Sequence, residues 1–136
     1  MKFTNSLIKG KLLKRYKRFF ADIKVNNKII TAHCPNTGSM QGLLDQGNEV
    51  LVTEHNDPKR KLKFTLEIIK AKKRYVGVNT HRANKIVNHG LENKLISEFK
   101  TIKNIKPEFK FSDDTRFDFL CDNNLIEVKN VTLCRE

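Results

Sequence analysis

The sequence predicts an α+β protein, with an OB-like small β-barrel over residues 1–80 and a helix followed by three strands over residues 81–136. Three observations lead there. Short apolar runs in the first eighty residues alternate with turn-forming clusters and show no helical period, the pattern of a small closed barrel. Residues 84–99 then switch to a period near 3.6. The charge changes at the same place. Residues 1–80 carry 17 Lys+Arg against 6 Asp+Glu, net +11, whereas residues 81–136 carry 10 against 9, net +1. The domain boundary therefore falls near residues 80–82.

Strand candidates in the first part are residues 7–13, 19–25, 28–32, 49–53, 63–70 and 74–78. Asn26-Asn27 tolerates positive φ and suits a two-residue hairpin turn between the second and third. That register sets Ile23 opposite Ile30 and Ala21 opposite Ala32. Pro35-Asn36-Thr37-Gly38-Ser39, Gln46-Gly47-Asn48 and Asn56-Asp57-Pro58 separate the others. In the second part, Ile86, Val87, Leu91, Leu95 and Ile96 recur at helical spacing, with Gly90 weakening the helix. An extended stretch follows over residues 102–111, then strands over residues 115–121 and 125–133.

A net charge of +12 and a pI of about 9.8 favour an anionic macromolecule over an acidic small substrate. Lysine and asparagine together make a quarter of the chain, as an AT-rich genome would produce, but that drift does not explain clustering. Six of the ten residues 9–18 are basic, as are four of the five residues 59–63 and four of the five residues 70–74. Cys34, Cys121 and Cys134 lack Cys-x-x-Cys spacing, so neither a disulfide framework nor a zinc knuckle is indicated. The N-terminus shows no secretory signal or membrane span, and the expected location is cytoplasmic.

The basic run interleaves Tyr16, Phe19 and Phe20 with cations, a mixture suited to phosphate contact and base stacking. Lys9, Lys11, Lys14, Arg15, Tyr16, Lys17 and Arg18, with Lys59, Arg60 and Lys61, form the candidate nucleic-acid-binding set. An aromatic strand face buried as barrel core is the competing reading for Phe19 and Phe20. His33, Cys34, Asn36, Thr37 and Ser39 read as a structural turn at the domain junction rather than a nucleophile or metal site. His55, His81 and His89 read as surface or capping groups. No helical segment combines strong basicity with a large apolar face, so a membrane surface is not the expected partner.

In Arg116-Phe117-Asp118-Phe119-Leu120, alternation puts Asp118 on one face and both phenylalanines on the other. Glu127 and Lys129 share a face opposite Ile126 and Val128. A two-residue turn at Asn123-Asn124 would pair Asp118 with Lys129, whereas a four-residue loop over residues 121–124 would set Asp118 against Glu127. Either register gathers the three polar groups; a three-residue loop would separate them. Asp118 and Glu127 suit Mg²⁺, which prefers carboxylate oxygens and water. Lys129 could steady a nucleophile or a transition state.

Five segments stand out together: Gly10-x₄-Arg15-Tyr16-Lys17-Arg18-Phe19, Thr31-Ala32-His33-Cys34-Pro35-Asn36-Thr37-Gly38-Ser39-Met40, Asn56-Asp57-Pro58-Lys59-Arg60-Lys61-Leu62, Val76-Gly77-Val78-Asn79-Thr80-His81, and Arg116-Phe117-Asp118-Phe119-Leu120 leading to Glu127-Val128-Lys129-Asn130-Val131-Thr132-Leu133. In this order they resemble the sugar fermentation stimulation protein A family. The resemblance implies an OB-like domain joined to a PD-(D/E)xK nuclease-like α/β domain. It also implies DNA binding without sequence preference and regulation of sugar (maltose) metabolism. Asp118, Glu127 and Lys129 match the nuclease-like motif as catalytic residues, with Asp118 and Glu127 as metal ligands, and Glu92 stands where such folds sometimes add a helix carboxylate. Family members continue beyond the Glu-x-Lys strand, so the second domain is expected to be incomplete. Its last strand would be an unprotected edge, with an exposed apolar patch or another chain completing the sheet. The expected function is non-sequence-specific DNA binding, the sequence itself not distinguishing DNA from RNA. The alternatives are a Mg²⁺-dependent nuclease and an inactive truncated product.

Overall fold

Asn26 lies at φ 54°, and the strands on either side of it pair Ile23 with Ile30 and Ala21 with Ala32, as the turn chemistry requires. The structure is a computed structural model that describes residues 1–135. These fall into two units: residues 2–80 with residues 131–135, and Met1 with residues 81–130.

The first unit holds β1 (Leu7–Tyr16), β2 (Phe20–Val25), β3 (Lys28–His33), β4 (Glu49–Glu54), β5 (Phe64–Ala71) and β6 (Arg74–Gly77). Their order is β3-β2-β1-β4-β5-β6. A parallel pairing of β3 with β5, Ala32 to Phe64 and His33 to Thr65, closes the first five strands into an OB-like barrel. β1 runs three residues past its expected end because it serves two neighbours. Residues 7–11 pair with β4, and residues 11–16 with β2, with an irregularity between Leu12 and Lys14. Such a bulge bends the strand from one side of the barrel to the other.

Leu12, Ala21, Ile23, Val50, Val52, Leu66 and Ile69 fill the interior. Each fully buried Leu, Ile or Val contributes about 1.5–3 kcal/mol. Gly10 is required by packing, since a Cβ there would lie 2.6 Å from Ile23 Cγ2.

The second unit holds α1 (His81–Glu92), a 3₁₀ turn (Ser97–Phe99), and an antiparallel sheet ordered β7 (Ile105–Lys110), β8 (Arg116–Cys121) and β9 (Asn124–Ile126). Leu91, Phe119 and Cys121 form its core, with Val87, Ile96, Ile105 and Val128 against them. Pro107 is tolerated because β7 is an edge strand.

Two expectations are corrected here. The helix starts three residues early and ends at Glu92, not residue 99. Lys94 adopts φ 55°, while its N–H donates to Leu91 O and that of Leu95 donates to Gly90 O. That is a Schellman ending, and Leu95 and Ile96 only prolong the helical pattern by chance. The last strand covers three residues, and residues 127–135 form no strand, because a side chain rather than the ladder takes the Val128 amide. No helix among the described residues is long and apolar enough to cross a membrane.

Candidate functional site

The barrel's outer face is set by strand alternation on β1, β2 and β3. Lys11 stands opposite Lys24; Tyr16 stands opposite Phe20, which stands opposite His33; Asp22 stands opposite Thr31. One end of this face is cationic. Lys9, Lys11 and Lys24 line a concavity of about 340 Å³ with Glu49, which lies 3.9 Å from Lys9. Midway, Asp22 accepts hydrogen bonds from Thr31 (2.9 Å) and Tyr16 (3.2 Å). Lys14 Nζ lies 5.2 Å from the Tyr16 ring centroid, within cation–π range.

The other end is aromatic. Tyr16 and Phe20 stack with centroids 5.4 Å apart and planes 14° from parallel, and Phe19 stacks on His33 at 6.5 Å and 15°. Phe19 is 44% exposed and Phe20 is half-buried, so neither belongs to the barrel interior. Barrel closure brings the β4–β5 loop beside these rings. Phe19, Phe20 and His33 share a concavity of about 330 Å³ with Arg60, Lys61 and Leu62. The basic run of the β4–β5 loop thus lies beside the aromatic residues that follow the first basic run.

The cations of the set differ in what they can reach. Lys11, Lys14, Lys17, Arg18, Lys59 and Lys61 are exposed. Lys17 (φ 48°) and Arg18 (φ 62°) are successive left-handed residues, a conformation that costs an L side chain roughly 1–2 kcal/mol each. Arg60 Nη2 donates to Thr65 Oγ1 at 2.6 Å. Arg15 is the correction: its guanidinium is engaged by backbone carbonyls. Nε donates to Arg18 O (2.9 Å), Nη1 to Gly38 O (2.8 Å) and Nη2 to Asn36 O (2.6 Å). It braces the turn at residues 33–40 instead of facing a ligand.

That turn is built as structure. Asn36 is buried; its Nδ2 donates to Val78 O and Thr132 Oγ1, and its Oδ1 accepts from the Gly38 N–H. Burial pushes the Cys34 thiol up, partly offset by the Arg15 charge, so it is a poor nucleophile.

In the second unit the hairpin turns at Asp122-Asn123, with Asp122 at φ 50°. Cys121 pairs with Asn124, Leu120 with Leu125 and Phe119 with Ile126. Continued one step, this register sets Asp118 against Glu127, the second of the two expected arrangements. Beyond Ile126 the strand ends, and Asp118 Oδ2 accepts from Val128 N at 2.6 Å. Its other oxygen accepts from Asn84 Nδ2 on α1 at 2.8 Å. Lys129 forms an ion pair with Glu127. The hydrogen bond and charge of Glu127 raise the Lys129 pKa, with a smaller pull from Asp118. Glu127 and Lys129 are therefore paired, and Asp118 lies close enough for its charge to act on Lys129.

Glu92, by contrast, is exposed and accepts a hydrogen bond from Asn88. The helix residue that meets Asp118 is Asn84, which carried no spacing signal in the sequence. Among the described residues no three His, Cys, Asp or Glu side chains cluster as a metal site. Two carboxylates nevertheless fit Mg²⁺, which binds through one or two of them and keeps water in the remaining positions.

Residues 13–78 match the SfsA N-terminal OB domain, and residues 81–136 match the sugar fermentation stimulation protein RE domain. The chain is 64% identical over 140 residues to the sugar fermentation stimulation protein homolog of Pelagibacter ubique, covering 100% of this chain and 60% of that protein. It is 44% identical over 145 residues to the Alteromonas mediterranea homolog, covering 98% of this chain and 61% of that one. The chain thus spans about three fifths of the length of these curated relatives. A solved structure of Pyrococcus furiosus SfsA in complex with Ca²⁺ has the same fold, with a TM-score of 0.72 at 22% identity over 90% of this chain and 53% of that one.

Proposed function

Because the chain belongs to the sugar fermentation stimulation protein family, we propose that it binds DNA without sequence preference through the outer face of its barrel. The observation that carries this reading is the concavity that Arg60 and Lys61 share with Phe19, Phe20 and His33, on a barrel whose Lys11, Lys14, Lys17, Arg18 and Lys59 are also exposed. Net charge supports it, because phosphate contacts dominate non-specific affinity. Control of sugar (maltose) metabolism would then act through DNA. The test is fluorescence anisotropy with unrelated duplexes of equal length at low salt. Similar affinities that fall together with added salt are expected; no binding to any of them at 50 mM salt sinks the proposal.

A second reading is metal-dependent phosphodiester hydrolysis at the hairpin, favoured by the Glu127–Lys129 ion pair and by the Asp118 charge acting on the same lysine. Asp118 and Glu127 would hold Mg²⁺, and the Pyrococcus relative carries Ca²⁺, also a hard cation. The bound ion would supply charge neutralisation on the phosphate and acidify a water. Lys129 stays protonated and presents a fixed positive charge to the same phosphate. Plasmid nicking in Mg²⁺ by wild type, lost in Asp118→Asn and Lys129→Ala, is expected; equal nicking by all three proteins refutes it.

A further inference from the structure

We infer that the aromatic end of the barrel selects single-stranded nucleic acid over duplex, with an unpaired base stacking on Phe19. The inference rests on the barrel being the nucleic-acid surface. It adds the strand form, which charge alone does not specify, because phosphates line both forms.

A lone exposed phenylalanine needs no explanation. Here the ring is one of four. Tyr16, Phe20 and His33 form a row across three adjacent strands, and Phe19 overlaps His33 with planes 15° apart. Phe19 keeps 44% of its surface exposed at the wall of a concavity that Arg60 and Lys61 share. A base in a duplex has both π-faces covered by its neighbours and can offer neither to a ring. An unpaired base can, and stacking on an aromatic side chain tolerates any base identity. Arg60 and Lys61 then stand where the strand's phosphate would follow its base into the concavity. A flat basic face would suit a duplex; a concavity of about 330 Å³ walled by rings suits one strand.

The test uses the full chain with three probes of 20 units: oligo-dT, oligo-rU and a mixed-sequence duplex, all at one low salt concentration. Either single strand is expected to bind more tightly than the duplex, and the two oligomers separate deoxyribose from ribose as its source. Phe19→Ala and Phe19→Leu should both weaken single-strand binding about five- to a hundredfold, and by a clearly larger factor than they weaken duplex binding. Leucine keeps apolar bulk without a ring, so an equal loss in both variants isolates stacking from folding. The chain has no tryptophan, so Phe19→Trp gives a single reporter. Its fluorescence should be quenched by the single strand and not by the duplex. Duplex binding as tight as single-strand binding, or single-strand binding unchanged in Phe19→Ala, overturns the inference while leaving DNA binding intact. Failure of every probe to bind would remove the underlying function instead.

Discussion

Arg15 Nη2 donates a 2.6 Å hydrogen bond to the backbone carbonyl of Asn36, fastening the most basic strand of the barrel to its most buried turn. A cation that sequence composition assigns to phosphate is thereby consumed as structure. Its planar fork serves three carbonyls at once, which a lysine cannot reproduce.

Arg15→Lys and Arg15→Ala should therefore both lower stability, by roughly 1–3 kcal/mol for alanine, since three charge-assisted bonds to carbonyls, one of them part-buried, are lost. Lys61→Ala, exposed and unbraced, should stay within about 0.5 kcal/mol. Urea denaturation of the three variants measures the contrast. Equal midpoints for Arg15→Ala and Lys61→Ala would show that the bracing is idle.

Salt dependence follows from the cations that remain. If about five of Lys11, Lys14, Lys17, Arg18, Lys59 and Lys61 meet phosphates, log K for a duplex should fall with log salt at a slope of roughly −4 to −5. A Lys59→Ala/Lys61→Ala double variant should lose about two units of that slope, and Arg15→Ala none. A titration from low to physiological salt reads both.

What the sequence made legible was the part governed by local rules. The Asn26-Asn27 register, the barrel strands and the pairing of residues 119–121 with residues 124–126 follow from alternation and turn chemistry. Three features did not follow. The strand pair that closes the expected barrel, β3 on β5, is a long-range parallel pairing with no sequence period to announce it. The end of α1 was hidden because Lys94 takes the left-handed position that Gly or Asn usually marks. The partners of Asn84 and Arg15 did not show because a side chain's partner depends on tertiary placement: the helix asparagine meets Asp118, and the arginine bonds the carbonyls of Arg18, Asn36 and Gly38.

The last residues are seated on the barrel unit through Gly42. Its φ is +81°, a Cβ there would come within 2.1 Å of Cys134 O, and Cys134 N donates to Gln41 O. Gly42→Ala should displace this segment, since the obstacle is backbone and the conformation disfavours an L side chain. Cys34 and Cys121 are buried and Cys134 is half-buried, so one thiol should react quickly with a disulfide reagent in the native protein. Gly42→Ala should accelerate that thiol, while the other two wait for denaturant. An unaltered rate would mean the segment is not held there.

Lys129 titrates upward because Glu127 holds its ammonium form, so its contribution to stability has a definite sign. A raised folded-state value means the contribution is complete below the unfolded lysine value, near 10.4, and is lost as pH rises through the folded one. The melting-temperature difference between wild type and Lys129→Ala should accordingly be flat from about pH 6 to 9 and shrink only above about 10.4. A difference that changes near neutral pH would point to another titrating group. The same sign keeps Lys129 from acting as a base at neutral pH.

Asp118 carries two duties that a single alanine substitution would confuse. Its carboxylate accepts from Asn84 Nδ2 and from the Val128 amide, so Asp118→Ala leaves both donors without it and should cost about 1–3 kcal/mol. Asp118→Asn keeps one oxygen for Val128, and Asn84 can turn its own amide to accept from the new NH₂. That variant should stay within about 1 kcal/mol of wild type while losing the charge a metal requires. Asn84→Ala should do the converse, retaining the carboxylate but freeing one of its oxygens. If the hairpin is a hydrolytic site, Asp118→Asn abolishes nicking at wild-type stability, whereas Asn84→Ala lowers it without abolishing it. If its role is purely structural, Asp118→Ala alone changes the melting temperature appreciably and nicking never rises above background in any of the proteins.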